Sequence, residues 1–135
     1  MGCFSTNGTH RILVVAANEN FRRTLSRILG RCGYTTDLAC SGEEAMRALE
    51  QETYDLVLSE VMLPGVACGL TVLCTARQHG RSIPFILLTE CETERLRWIV
   101  SGVEGVRCVK LPVDVDQLKQ MVASSLAAAA EPTRH

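Results

Sequence analysis

The stretch that most constrains this chain is Tyr54-Asp55-Leu56-Val57-Leu58-Ser59-Glu60-Val61-Met62-Leu63-Pro64-Gly65. Leu56, Val57 and Leu58 form an apolar run with no polar alternation, closed by a carboxylate and then by a Pro-Gly turn. The run is too short for a helix and is bounded by turn residues, so it reads as a strand. A strand without alternation is covered on both faces, as in parallel sheets flanked by helices. Glu60 then falls at the carboxyl end of a central strand, where open α/β sheets place their sites.

The rest of the chain repeats this unit. Ile12-Leu13-Val14-Val15 predicts a second buried strand, closed by Ala16-Ala17, with Asn18 placed to cap a helix. That helix carries Phe21, Leu25, Ile28, Leu29 and Cys32 on one face and stops at Gly33. Residues 35–40 predict a strand, and Ser41-Gly42-Glu43-Glu44 a capping box that opens a helix with Ala45, Met46 and Leu49 inward. After Pro64-Gly65, Leu70, Leu73, Cys74 and Arg77 share a helical stripe that ends before Gly80. Residues 83–89 predict a fourth strand, with Pro84 tolerated at its start. Residues 92–101 predict a helix ended by Gly102, with Leu96, Ile99 and Val100 inward. Val106 to Lys110 predicts a fifth strand, and Asp114 caps a last helix burying Leu118, Met121, Val122 and Leu126. Five strands alternating with five helices predict an α/β fold: a parallel sheet with right-handed crossovers and helices on both faces.

The chain's 135 residues suit one domain, taken as 11–128 between a polar tail (1–10) and a tail or start of a linker (129–135). Net charge is −1 with no block of like charge, which gives nucleic acid no footing. No apolar run reaches membrane-spanning length and no signal-type segment opens the chain, so a cytoplasmic protein without a membrane partner is expected. Seven cysteines, an odd count with no C-x-x-C pair, read as reduced and mostly buried small hydrophobes. Gly2 and Cys3 fit a lipidation pattern short enough to arise by chance in a tail. Neither G-x-G-x-x-G nor G-x-x-x-x-G-K-[ST] occurs, so dinucleotide and P-loop chemistry are excluded, and no cofactor is predicted.

Several segments together carry a family likeness: Ile12 to Val15, Asn18-Glu19, Gly33-Tyr34, Ser41 to Ala45, Tyr54 to Leu58, Val61 to Gly65, Ile83-Pro84, Leu88-Thr89 and Pro112 to Asp114. This set resembles the receiver domain of bacterial response regulators in two-component phosphorelay signalling, from about Arg11 to Leu126. The resemblance implies a flavodoxin-like (βα)5 fold, a doubly wound five-stranded sheet of strand order 2-1-3-4-5. It also implies a phosphoacceptor aspartate ending the third strand, a magnesium-holding acidic pair after the first, a switch hydroxyl ending the fourth and a lysine before a proline ending the fifth.

Residue by residue, the phosphoacceptor-equivalent position is Glu60, and the acidic pair falls on Ala16 and Ala17. The hydroxyl is kept as Thr89. The lysine position is Leu111, with Lys110 one residue early, and the usual aromatic of the fifth strand is Cys108. The residue after the hydroxyl, usually small, is Glu90. Magnesium needs oxygen ligands that two methyl groups lack, and a transferring phosphoryl group needs cations to offset its charge. The residues therefore predict a pseudo-receiver: a signalling module that is not an enzyme, binds no metal and acts by protein–protein contact. Its partner would be a histidine kinase, an output domain or a second copy, met through the fourth helix, fifth strand and fifth helix, with Arg95 and Trp98 as candidate contacts. Two alternatives are phosphorylation by an unusual route, on Ser59, and a thiol or ligand sensor using the emptied pocket and Cys91. The flanking Glu90 and Glu92 disfavour a Cys91 thiolate. Glu60 either mimics a phosphorylated residue by reaching toward Thr89, or is solvated or paired with Lys110. Trp98 is either an exposed anchor or folded over its neighbours.

Overall fold

The computed structural model describes residues 10–79 and 82–130. The strands are β1 (Arg11–Val15), β2 (Thr35–Ala39), β3 (Leu56–Glu60), β4 (Phe85–Thr89) and β5 (Val106–Lys110). The helices are α1 (Glu19–Arg31), α2 (Gly42–Gln51), α3 (Gly69–Gln78), α4 (Thr93–Ile99) and α5 (Val115–Ala130). All strand pairs are parallel and the order is β2-β1-β3-β4-β5, the doubly wound arrangement the sequence implies. The apolar strands β1, β3 and β4 occupy the middle, and β2 and β5, which carry polar residues, form the edges.

Alternation along the strands builds one core on each face of the sheet. Leu13, Val15, Val57, Phe85 and Leu87 meet Ala45 and Leu49 of α2, Val72 and Ala76 of α3, and Leu96 of α4. Ile12, Val14, Leu56, Leu58, Ile86 and Leu88 meet Leu25 and Leu29 of α1 and Leu118, Val122 and Leu126 of α5. Each fully buried Leu or Ile contributes roughly 1.5–3 kcal/mol, which is why these strands contain almost nothing else.

The helix starts follow from their caps. Asn18 Oδ1 accepts from the Phe21 amide at 2.9 Å, and Asp114 Oδ2 from the Gln117 amide at 3.3 Å. Ser41 Oγ accepts from the Glu44 amide at 3.1 Å, but Glu44 reaches back to the Cys40 amide at 2.7 Å, one residue before the cap. That bond holds the Glu44 carboxyl below its ordinary range.

Several expectations about helix bounds and faces are corrected. α4 is shorter than residues 92–101, and Ile99 is 52% exposed because only Leu96 and the following Val100 face the sheet. The inward side of α3 is Gly69, Val72, Leu73 and Ala76, which turns Cys74 outward and leaves Leu70 half-buried. Arg77 lies beside that stripe and donates to the carbonyls of Ile83 (2.7 Å) and Glu104 (2.6 Å). Cys32, Cys40, Cys74 and Cys91 are exposed and Cys68 is half-buried, so among the described cysteines only Cys108 is a core residue. The exposed ones sit at helix or strand ends or off the inward stripe, where nothing covers them. Met121 is half-buried. Gly2, Cys3 and Gly80 lie outside the described residues.

Candidate functional site

β1, β3 and β4 end together at the carboxyl edge of the sheet. Val15 is in register with Ser59, Glu60 with Leu88, and Thr89 with Lys110. Glu60 is thus the last residue of β3, beside the loop that begins at Ala16. Its Oε1 accepts from the Ala17 amide at 2.9 Å, so the carboxylate turns toward β1. Ala16 is fully buried and Ala17 exposed. Arg22, in the first turns of α1, donates through Nη1 to the carbonyls of Ala16 (2.7 Å) and Ala17 (3.3 Å).

Thr89 is buried, and its Oγ1 accepts from the Cys91 amide at 3.1 Å. The hydroxyl is occupied in shaping the chain as it leaves β4. The Leu111 amide donates to the Thr89 carbonyl at 2.7 Å, which carries β5 pairing past Lys110. Leu111 faces the site, and Lys110 turns away: its Nζ lies 2.5 Å from Glu92 Oε2, with the side chains 49% and 80% exposed. This overturns the pairing of Lys110 with Glu60. Cys91 precedes α4 by two residues and is exposed in the loop, so it does not stand at a helix start.

An open pocket of about 560 Å3 lies at this edge, lined chiefly by Asn18, Phe21, Glu60, Glu90, Leu111 and Pro112. Its charged groups are two carboxylates, and its walls are apolar. Ser59, on the preceding β3 position, is fully buried and its hydroxyl donates to the Glu60 carbonyl at 2.8 Å.

The backbone under Glu60 is held from below. A Cβ on Gly69 would lie 2.3 Å from the Glu60 carbonyl oxygen and 2.9 Å from Val61 Cα, so α3 starts directly against the end of β3. The Gly69 amide also donates to the Val61 carbonyl at 2.8 Å. The intervening loop is clipped to α2. A Cβ on Gly42 would lie 2.5 Å from the Ala67 carbonyl, and Glu43 Oε2 accepts from the Ala67 amide at 3.2 Å. Glu43's own amide and that of Ala67 hold its carboxyl below the ordinary range.

Away from the pocket, Trp98 is 78% exposed on α4, which decides between the two orientations open to it; Arg95 is exposed on the same helix. Cys108 is buried on β5. Two site residues escape the sequence pattern. Phe21 sits on the inward face of α1 yet is half-buried in the pocket wall, and Arg22 is polar on a helix whose polar side is mostly solvated. Its signal is position alone: four residues past the Asn18 cap, a long side chain leans back over the preceding turn.

The family model for the response regulator receiver domain matches residues 12–123. The chain belongs to the response regulator receiver family. It is 33% identical over 120 residues to the sensor histidine kinase RcsC of Salmonella typhi, covering 87% of this chain and 12% of RcsC. The chain thus spans only a small part of that relative's length. Among solved structures, a response regulator receiver protein from Sinorhizobium medicae superposes with a TM-score of 0.83 at 20% identity, over 92% of this chain and 99% of the other. The receiver domain of sensor histidine kinase PA1611 from Pseudomonas aeruginosa, solved with a magnesium ion coordinated in its active-site cleft, gives 0.77 at 23% identity, over 89% and 99%. Receivers as a class interact with histidine kinases and with output domains. Among the described residues no helix is long and apolar enough to cross a membrane.

Proposed function

We propose that this receiver signals by protein–protein contact without taking a phosphoryl group or magnesium, as a pseudo-receiver that is not an enzyme. The observation that carries the reading is the pair Ala16 and Ala17 beside Glu60. Magnesium prefers near-octahedral oxygen coordination, with one or two carboxylates and a complement of waters and phosphate. Two methyl groups supply no ligand, and Glu60 already accepts from the Ala17 amide. The residues present do not fit the ion that the PA1611 receiver holds in its cleft.

The anion side is equally unsupported. A transferring phosphoryl group needs cations at its oxygens. Leu111 stands on the pocket wall, Lys110 is joined to Glu92, and Glu90 adds a negative charge at the mouth. Phosphorylation on Ser59 is disfavoured as well, since that hydroxyl is buried and engaged. The partner is a histidine kinase, an output domain or a second copy in the cytoplasm. The surface is α4, β5 and α5, where Trp98 and Arg95 are exposed.

Intact-mass measurement after incubation with acetyl phosphate and magnesium tests this. No stable gain of one phosphoryl group is expected, and partner capture should be unchanged by magnesium or phosphate. A stable phosphoryl adduct would overturn the reading.

A further inference from the structure

A second pocket, of about 370 Å3, lies between α4, β5 and α5, away from the Glu60 edge. Its lining is apolar where the groove crosses the edge strand β5: Cys108 and Val100 are buried and Val103 half-buried on the α4 side, and Met121 is half-buried on the α5 side. Its rim is cationic, formed by the exposed guanidinium groups of Arg97 and Arg107. Arg107 is held in place by donating to Ser124 Oγ at 3.0 Å, which uses one of its five N–H groups. Arg97 has no side-chain partner among the described residues. No carboxylate lines the pocket.

We infer that this pocket is a binding site for a small organic carboxylate carrying an aromatic or branched apolar body. The volume lies within the range of small-molecule sites, which combine apolar walls with a few placed polar groups. Two guanidinium groups, one on each side of an apolar groove, match a carboxylate head joined to an apolar body, because either guanidinium fork can pair with a carboxylate in two parallel bonds. The chain as a whole is slightly acidic, with a net charge of −1, so this cationic rim is a local feature. Burial pushes the Cys108 thiol up, with Arg97 the charge acting against it, which puts that guanidinium near the Cys108 side of the groove. The carbonyls of Trp98 and Val100 at the end of α4 already accept from the amides of Ser101 (3.2 Å) and Val103 (2.9 Å), so they are engaged within the turn. The inference is independent of whether Glu60 accepts phosphate.

The test is a titration of the full chain with 2-naphthoate and with its uncharged isostere 2-naphthamide, followed by 1H–15N amide shifts. Naphthoate should bind with a dissociation constant of about 1 mM or tighter, with the largest shifts at Val100, Cys108 and Met121. Naphthamide should bind at least about threefold more weakly, and Arg97→Gln and Arg107→Gln should each weaken naphthoate about threefold while leaving naphthamide unchanged. Both substitutions are on the surface, and a thermal melt checks that the fold is retained. Cys108→Phe should block both compounds by filling the floor. If that variant does not fold, the two arginine variants decide the matter alone. Equal binding of acid and amide, shifts centred on Phe21 and Leu111 of the Glu60 pocket, or no shift at 10 mM naphthoate would each overturn the assignment.

Discussion

Lys110 Nζ lies 2.5 Å from Glu92 Oε2, so the ammonium at the carboxyl end of β5 is engaged with the approach to α4 and not with Glu60. The bond holds the Glu92 carboxyl below its ordinary range. A carboxyl whose folded pKa is depressed contributes stability above its unfolded pKa and loses it as pH falls through the folded value, here in the acid range below about 4.3. Glu92→Gln should therefore melt slightly below the parent at pH 7, by no more than an exposed pair is worth, and converge with it at pH 3, so that it loses less melting temperature over that range. Identical losses would mean the pair does not form in solution.

Glu60→Asp alone should not confer phosphorylation. The shorter side chain withdraws the carboxylate by one C–C bond, about 1.5 Å, from the Ala17 amide and leaves the metal ligands and the cation still missing. Intact mass after acetyl phosphate and magnesium should be unchanged. Ala16→Asp, Ala17→Asp and Leu111→Lys together with Glu60→Asp are the minimum set for labelling, with Glu90→Ala added to clear the mouth. Labelling of the single variant would refute this account of the site.

Gly69→Ala should destabilise the fold by roughly 1–3 kcal/mol, because the added methyl meets backbone atoms of Glu60 and Val61 that cannot swing aside. Gly102→Ala is the control: a Cβ there meets nothing within 4 Å. Urea denaturation of the two variants should separate them, and equal midpoints would show that α3 does not bear directly on β3.

Trp98→Ala should weaken self-association or partner capture by about 2 kcal/mol, the loss expected of an aromatic anchor, with the fold intact. The chain has a single tryptophan, and it is 78% exposed. Its emission should be that of a solvated indole in dilute monomer and should move to the blue on association. Emission already blue in the monomer, with no further change, would place the working surface elsewhere.

Much of the fold is legible because the strong signals are short-range. Leu56-Val57-Leu58 and Ile12 to Val15 can be covered on both faces only in the middle of a sheet, and Asn18, Ser41 and Asp114 mark helix starts through side chains that reach the next turn. Helix faces are less legible where packing depends on shape. Gly69 and Ala76 face the sheet in α3 because they let the helix approach closely, so a rule that counts apolar bulk points to Cys74 instead. Ile99 is apolar but lies where α4 has already turned away. At the site, the position of Glu60 is readable from β3 alone, whereas its acceptance of the Ala17 amide, the Lys110–Glu92 pair and the reach of Arg22 each join residues far apart in sequence or depend on a side-chain direction that periodicity does not carry.

Arg22 holds the carbonyls of Ala16 and Ala17, so the loop leaving β1 is braced by a positive charge that belongs to the chain itself. A tethered guanidinium keeps full occupancy whatever the surrounding ion concentrations, and no chelator can remove it. The shape of this corner is therefore constitutive. On the proposed function, variation in the protein's output comes from how much of it is present and from what occupies its surfaces.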